Sequence, residues 1–477
     1  MGGKKLHNHN NNNNGAVDTN SNNSNRNGTT TTTTTVKPPP VTLQQSPIIN
    51  LDRGDPSVFE PYWRKNGGKC TITISGHDSL SYFSDPNSVC WYMEPELQEA
   101  IRRVHRVVGN AETEGCHVVA GTGSTVLFQA ALYALSTSSS SVAAEPMKVV
   151  CAAPYYSQYK EQVELLQSRL YEWGGDAETF DGSAAPFIEV VTSPNNPDGS
   201  LREAAVANKT GNGKLIHDLA YYWPNYTPIT RPADYDIMLF TLTKCTGHAG
   251  SRIGWALVKD VEVAKKMTTF MQITTIGVSK DSQLRAAKIL DVVAEDCEQH
   301  AAGAFGYAGN DADKTFFGES RKLMAERWEK LREAVKDKKD VFTLPKYPKR
   351  YCNFSGRYFQ PAPDVILYAA AFGWLECKEG CDASALMKAH NVLTRGGETF
   401  GVSSRYTRIS MIGREEEFER FIERISGIQC VDEEDEEEEE EEEGFVVMNG
   451  NNGGDVIRLG NENSNSHGKW LEQVEVQ

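Results

Sequence analysis

The chain has no apolar run of about 18 residues, so it holds no stretch able to cross a bilayer as a helix. Its first 50 residues are drawn largely from Lys, His, Asn and Thr, with no apolar segment, and do not read as a secretory leader. Cysteine is sparse: 10 in 477 residues, too scattered for a disulfide scaffold. Cys377 and Cys381 form a C-x3-C pair, but no second pair at zinc spacing accompanies it, so reduced thiols and no metal site are expected. Positive charge is short as well, with 49 Lys and Arg against 65 Asp and Glu. No basic surface for nucleic acid follows from that balance. Triplets such as Asn225-Tyr226-Thr227 match a glycosylation pattern, which means nothing without export. These absences point to a soluble protein of the reducing cytoplasm, with neither membrane nor nucleic acid as partner.

What is present is uneven. Twelve of the sixteen excess negative charges sit in one unbroken run, Asp432 to Glu443. Such a run repels itself and stays extended. Residues 1–49 are rich in Asn and Thr, then reach Pro38-Pro39-Pro40. That composition buries too little apolar surface to offset chain entropy. Both ends, 1–49 and 432–477, are therefore expected to be disordered, and the globular protein is confined to the middle.

The middle alternates strand-like and helix-like segments. Strands are expected at His117–Ala120, Lys148–Ala153, Ile188–Thr192, Leu215–Asp218, Ile237–Leu242 and Ile253–Val258, with helices near Thr125–Leu135 and Gln158–Leu170. Apolar strands separated by helical crossovers make a mostly parallel sheet covered on both faces. Ligands of such sheets bind at the carboxyl ends of the strands. Four polar features follow strands directly: the Gly121 turn, the Ser193–Gly199 loop, Asp218 and Lys244.

Each feature has a chemical and a plain reading. Gly121-Thr122-Gly123-Ser124-Thr125 joins a strand to a helix, where backbone N–H groups and the Ser124 and Thr125 hydroxyls suit one phosphate, or it is only a turn. A third glycine at the dinucleotide spacing is missing, since Phe128 follows Leu127. Ser193-Pro194-Asn195-Asn196-Pro197 is a stiff loop that aims amides beyond the sheet, with X-Pro bonds open to the cis form, or else an ordinary turn. Asp218, with Tyr221 three residues on, suits a cationic ring nitrogen, or serves as a helix N-cap. Lys244 closes an apolar strand, where an ammonium is costly unless it has chemistry or a partner. A buried lysine of lowered pKa forms Schiff bases near neutrality. Thr241 and Arg252, three before and eight after it, suit a phosphate dianion.

Together these residues resemble the fold-type I pyridoxal-phosphate enzymes, and most closely the plant tryptophan aminotransferase and alliinase family. The likeness runs from about Ile49 to Val431 and includes Asp52-Arg53-Gly54-Asp55-Pro56, Tyr62-Trp63-Arg64-Lys65, Ser81-Tyr82-Phe83-Ser84-Asp85, Thr192–Gly199, His217–Thr230 and the Lys244 block. The Ala301–Gly318 stretch looks like a variable insertion. The resemblance implies an α/β fold with a large domain at 116–319 holding pyridoxal 5'-phosphate. It implies a small α+β domain at 320–431, joined by 50–115, which also makes dimer contacts. Lys244 would hold the coenzyme aldehyde and shuttle the substrate proton. Asp218 would keep the ring nitrogen protonated, and Asn196 and Tyr221 would hydrogen-bond the ring oxygen. Ser124, Thr125, Thr241 and Arg252 would hold the phosphate, with Tyr82 reaching it from the second subunit of a homodimer. Arg408 would fork onto the substrate carboxylate, with Arg405 as the competing candidate.

The implied reaction converts L-tryptophan and pyruvate to indole-3-pyruvate and L-alanine in auxin biosynthesis. Aromatic residues around Tyr62, Trp63 and Phe83 are candidates to line an indole pocket. One rival is a carbon–sulfur lyase acting on cysteine sulfoxides, as in the alliinases. Secreted alliinases carry a leader and a Cys-rich module where this chain has its Asn/Thr tail, which favours the aminotransferase. The other rival is a non-catalytic interaction protein that kept the fold. Retention of Lys244, Asp218, Asn196 and Arg252 argues against it.

Overall fold

The computed structural model describes residues 46–137, 145–183, 185–302, 314–336, 338, 341–344 and 369–428. The expected disordered ends lie outside these residues, apart from Ser46–Ile49, and so do positions 303–313 of the expected insertion.

Thirteen strands are present among the described residues: β1 (Ile49–Asn50), β2 (His117–Gly121), β3 (Met147–Cys151), β4 (Tyr171–Asp176), β5 (Phe187–Thr192), β6 (Gly213–Asp218), β7 (Ile237–Thr241), β8 (Gly254–Val258), β9 (Phe342–Thr343), β10 (Phe372–Cys377), β11 (Val392–Leu393), β12 (Arg395–Gly396) and β13 (Tyr406–Ser410). Seven form the main sheet in the order β2-β8-β7-β6-β5-β3-β4. The pairs β3/β4, β3/β5, β5/β6 and β6/β7 are parallel, and β8 runs against both its neighbours. Every residue of β5, β7 and β8 is buried, as a sheet covered on both faces requires. Helix Ser124–Ser136 packs on Val261–Thr275, and Pro95–Val108 on Lys280–Ala302.

The six expected strands are all found, with ends moved by one or two residues. The seventh, β4, was not expected. The helix begun at Gln158 stops at Leu166, where Gln167 turns left-handed at φ 43°, and the chain returns as an edge strand. Gly174 and Gly175 hide that strand from an alternation test.

A second, antiparallel sheet has the order β12-β13-β10-β9, and β1 pairs in parallel with β11. The chain start is thereby tied to its late segments. The β10/β13/β12 register sets Arg408 opposite both Trp374 and Arg395.

Candidate active site

β7 delivers Lys244. The strand ends at Thr241, whose Oγ1 accepts the Thr243 N–H at 3.3 Å and starts a short helix, Leu242–Thr246. Lys244 thus stands on a helical turn just beyond the strand rather than at its tip. The side chain keeps some exposed surface, but the amine is enclosed by protein and donates to the Gly54 carbonyl. Burial, then the Arg408 charge, pulls the amine from 10.5 down to about 7, against a smaller upward pull from Asp55. The amine lies 5.5 Å from the centre of the Tyr221 ring.

β6 delivers Asp218, which the parallel register sets beside Thr192 of β5. The carboxylate is 9% exposed. Oδ1 accepts the Ala220 N–H at 3.0 Å and Oδ2 the Tyr159 hydroxyl at 2.6 Å. Burial pushes its pKa up and these two hydrogen bonds pull it down, while no cation acts on it among the described residues. A turn follows Asp218, so it is not an α-helix N-cap. On the neighbouring loop the Ser193-Pro194 bond is cis, and Asn196 Oδ1 accepts from Arg408 Nη1 at 3.0 Å.

β2 delivers the glycine turn. Gly123 has φ 94° and precedes helix Ser124–Ser136, whose first N–H groups lack intrahelical partners. A Cβ on Gly254 of β8 would lie 2.7 Å from Gly123 C and Ser124 N, so the turn can sit against β8 only because Gly254 has no side chain. Arg252 arches over this turn, with Nη2 3.4 Å from the Thr122 carbonyl and Nη1 donating to Ala249 O at 3.1 Å. Ser124 is half-buried and Thr125 exposed. Thr241 Oγ1 is turned inward and donates to Ile253 O at 3.3 Å. Tyr82 is not brought here within one chain. It is 66% exposed and lines a shallow hollow with Phe83, Trp91, Gln272 and Ile276.

β13 delivers Arg408, 2% exposed. It stacks 4.1 Å over Phe372 and 5.3 Å from Phe400, donates to Asn196 and to the Asp52 carbonyl, and leaves Nε unbonded. The Asp52 carboxylate is taken by Arg395, at 2.6 and 3.1 Å. Burial, then the Arg395 charge, lowers Arg408 to about 10. Arg405, in contrast, is occupied by Glu376 at 2.7 Å and the Cys377 carbonyl at 3.2 Å. A buried guanidinium with a free donor suits an incoming carboxylate; one already paired does not.

A cavity of about 580 Å³ opens beside the Lys244 turn, lined by Asp55, Phe59, Trp63, Gly247, His248 and Ser251 among others. Of the three aromatics expected around an indole, Trp63 lines it. Tyr62 instead donates to Asp296 at 3.3 Å, and Phe83 packs on Trp91 with ring centres 5.0 Å apart. Within one chain only Trp63 of the three lines this cavity, although the Tyr62 ring lies 5.1 Å from that of Trp63.

Sequence reasoning missed four participants. Asp52 and Gly54, in a segment noted only for its resemblance, place carbonyls on Arg408 and Lys244. Tyr156 and Tyr159 belong to the Tyr-rich segment after β3, which also leaves the carboxyl edge of the sheet. Tyr156 feels the charges of Arg408, Asp218 and Arg395. Its place after a central parallel strand was the signal that could have found it.

A buried carboxylate without a counter-cation among the described residues, a lysine whose pKa is lowered to about 7 and a glycine cradle at a helix start share one sheet edge. They fit a phosphorylated, aldehyde-bearing cationic ring, and with this topology they define a pyridoxal-phosphate enzyme of fold type I. The chain belongs to the allinase family, whose profile matches residues 49–429. Tryptophan aminotransferase-related protein 2 of Arabidopsis thaliana is 52% identical over 382 residues, which is 80% of this chain and 81% of that protein. Alliin lyase of Allium cepa var. aggregatum is 36% identical over 375 residues, 77% of this chain and 79% of the lyase. Among solved structures, YbdL from Escherichia coli, described as a methionine aminotransferase, superposes with a TM-score of 0.54 at 13% identity, covering 80% of this chain and 95% of that one. No helix among the described residues is long and apolar enough to cross a membrane.

Proposed function

We propose that this chain is an aminotransferase that takes its amino group from L-tryptophan and passes it to pyruvate, giving indole-3-pyruvate and L-alanine for auxin biosynthesis in the cytoplasm. The observation that carries an amino-acid substrate is that the Lys244 amine lies within reach of the charge of Arg408, a buried guanidinium whose Nε has no hydrogen-bond partner. The choice of aminotransferase over lyase leans on identity, 52% to a relative named for tryptophan aminotransferase against 36% to an alliin lyase.

When bound, pyridoxal phosphate supplies an aldehyde to take the amino group and a ring to accept the electron pair left by the α-proton. This chain's residues do the rest. Lys244 Nζ, its pKa lowered to about 7 chiefly by burial, would hold the aldehyde and carry the α-proton. Asp218 holds the proton on the ring nitrogen. Arg408 forks onto the substrate carboxylate, displacing the Asp52 carbonyl. Arg252 and the start of helix Ser124–Ser136 hold the phosphate. Exposed Tyr82 completes that site in a second copy of the chain, so the active unit is a homodimer.

The test is an amino-acid panel with pyruvate, reading keto-acid release, run beside alliin. Indole-3-pyruvate formed from tryptophan and stoichiometric with alanine supports the proposal. Pyruvate released from alliin with no transamination makes the chain a lyase. No coenzyme absorbance and neither activity makes it a non-catalytic relative.

A further inference from the structure

Asp218 is a carboxylate in a difficult place. Burial favours its neutral form, and no cation offsets that among the described residues. A protonated Asp218 could not hold a proton on the coenzyme ring, so before the coenzyme binds the charge depends on hydrogen bonds. One comes from the Ala220 backbone. The shorter one comes from Tyr159, a side chain with no role assigned above. Tyr159 is the second residue of helix Gln158–Leu166 and is 2% exposed. Its ring is held between Phe128 and Tyr156, with centres at 4.9 and 5.4 Å. Its oxygen also lies 2.8 Å from Thr192 Oγ1.

Charge sets the direction of this chain. A tyrosine hydroxyl has one proton, and a lone pair facing a carboxylate at 2.6 Å would be repelled. Tyr159 therefore donates to Asp218 Oδ2, and Thr192 donates to Tyr159. The β5/β6 register fixes the spacing by pairing Thr192 with Asp218.

We propose that Tyr159 is a positioning residue for the coenzyme: its hydroxyl, backed by Thr192, keeps Asp218 ionised and turned so that its free edge meets the ring nitrogen. Tyr159 acts through Asp218 and touches neither coenzyme nor substrate. The proposal rests on the pyridoxal-phosphate reading of the site and adds a member to it.

The experiment strips the coenzyme from the full-length chain and measures dissociation constants for pyridoxal phosphate and for its 1-deaza analogue. The analogue has C–H in place of the ring nitrogen, so it offers Asp218 nothing to hold. The wild-type chain is expected to prefer the coenzyme. Tyr159→Phe should weaken coenzyme binding about tenfold and analogue binding less than about twofold, so the preference shrinks. Thr192→Val, which removes only the outer donor, should move the same way by about threefold, and it carries the test if Tyr159→Phe does not fold. An unchanged preference in folded variants overturns the proposal. So does equal loss for both ligands, which marks a purely structural tyrosine. A wild-type chain that binds both ligands alike overturns the Asp218 contact and this proposal with it. One that binds neither overturns the coenzyme reading itself, and so the two failures are told apart.

Discussion

Lys244 is the residue on which the chemistry turns, and its protonation gives a pH signature. Only the neutral amine attacks an aldehyde. With the pKa at about 7, the neutral fraction climbs steeply below that pH and saturates above it. Stopped-flow capture of pyridoxal phosphate by the coenzyme-free chain should therefore speed up toward pH 7 and level off beyond about pH 8. A rate still rising tenfold per unit near pH 9 would place the amine at an ordinary lysine value. The two arginines separate just as cleanly. Arg408→Gln should cut kcat/KM for the amino acid by about 100-fold, the worth of a buried bidentate contact. Arg405→Gln should stay within about threefold, because its Glu376 partnership is part-exposed and weak. Steady-state kinetics on the two variants checks both. Sequence alone left that pair open. Both belong to one short stretch, and which of them is buried follows from the pairing of β13 with β10 and β12.

Among the elements, the Gly121–Ser124 turn and β8 are a pair sensitive to a single atom. Gly254→Ala adds a Cβ to a space already filled by Gly123 and Ser124 backbone, where no flexible side chain can give way. Such overpacking costs about 1–3 kcal/mol. A calorimetric melt should show that loss, and coenzyme affinity should fall with it because the turn is pushed off the phosphate site. A second element-level dependence runs through Glu189, buried at the centre of β5. Its carboxylate accepts the N–H groups of Ala205, Val206 and Ala207. Glu189→Ala would strand three buried donors and should destabilise the fold by about 3 kcal/mol or more, read by urea unfolding. The central strands were legible because Ile188–Thr192 and Ile237–Leu242 are rich in Ile, Val, Leu, Met and Phe, interrupted only by Glu189, Thr192 and Thr241, which suits a sheet covered on both faces. β4 was not, since its glycines erase the pattern. Glu189 was not singled out either, for its partners lie sixteen to eighteen residues away in a loop of no regular pattern.

At the level of the whole molecule, the proposed homodimer makes Tyr82 the residue that would complete the site of a second copy. Leu80, Tyr82 and Phe83 are all more than half exposed, as are Ile273 and Ile276. Exposed apolar side chains of this kind fit the proposed contact with a second copy of the chain. If Tyr82 serves the partner's site, an inactive Lys244→Ala chain and an inactive Tyr82→Ala chain should rescue each other on mixing. Half of the randomly formed dimers would be hybrids with one intact site, giving about a quarter of wild-type activity. Activity no higher than the two parents would place Tyr82 outside the reaction.

The one-dimensional pattern was enough for what depends on local order. The strand–turn–helix of Gly121–Thr125, the lysine after an apolar strand and the aspartate closing another are each written within a few residues, and the sheet rule then gathers them on one edge. It could not supply what depends on distance along the chain. Asp218 meets Tyr159 across 59 positions, Asn196 meets Arg408 across 212, and the Gly54 carbonyl meets Lys244 across 190. Those meetings arise from strand register and from the β1/β11 pairing, which ties Ile49–Asn50 to Val392–Leu393. Burial, which brings the lysine close to neutrality and leaves Arg408 with an unused donor, exists only once the chain has closed around them.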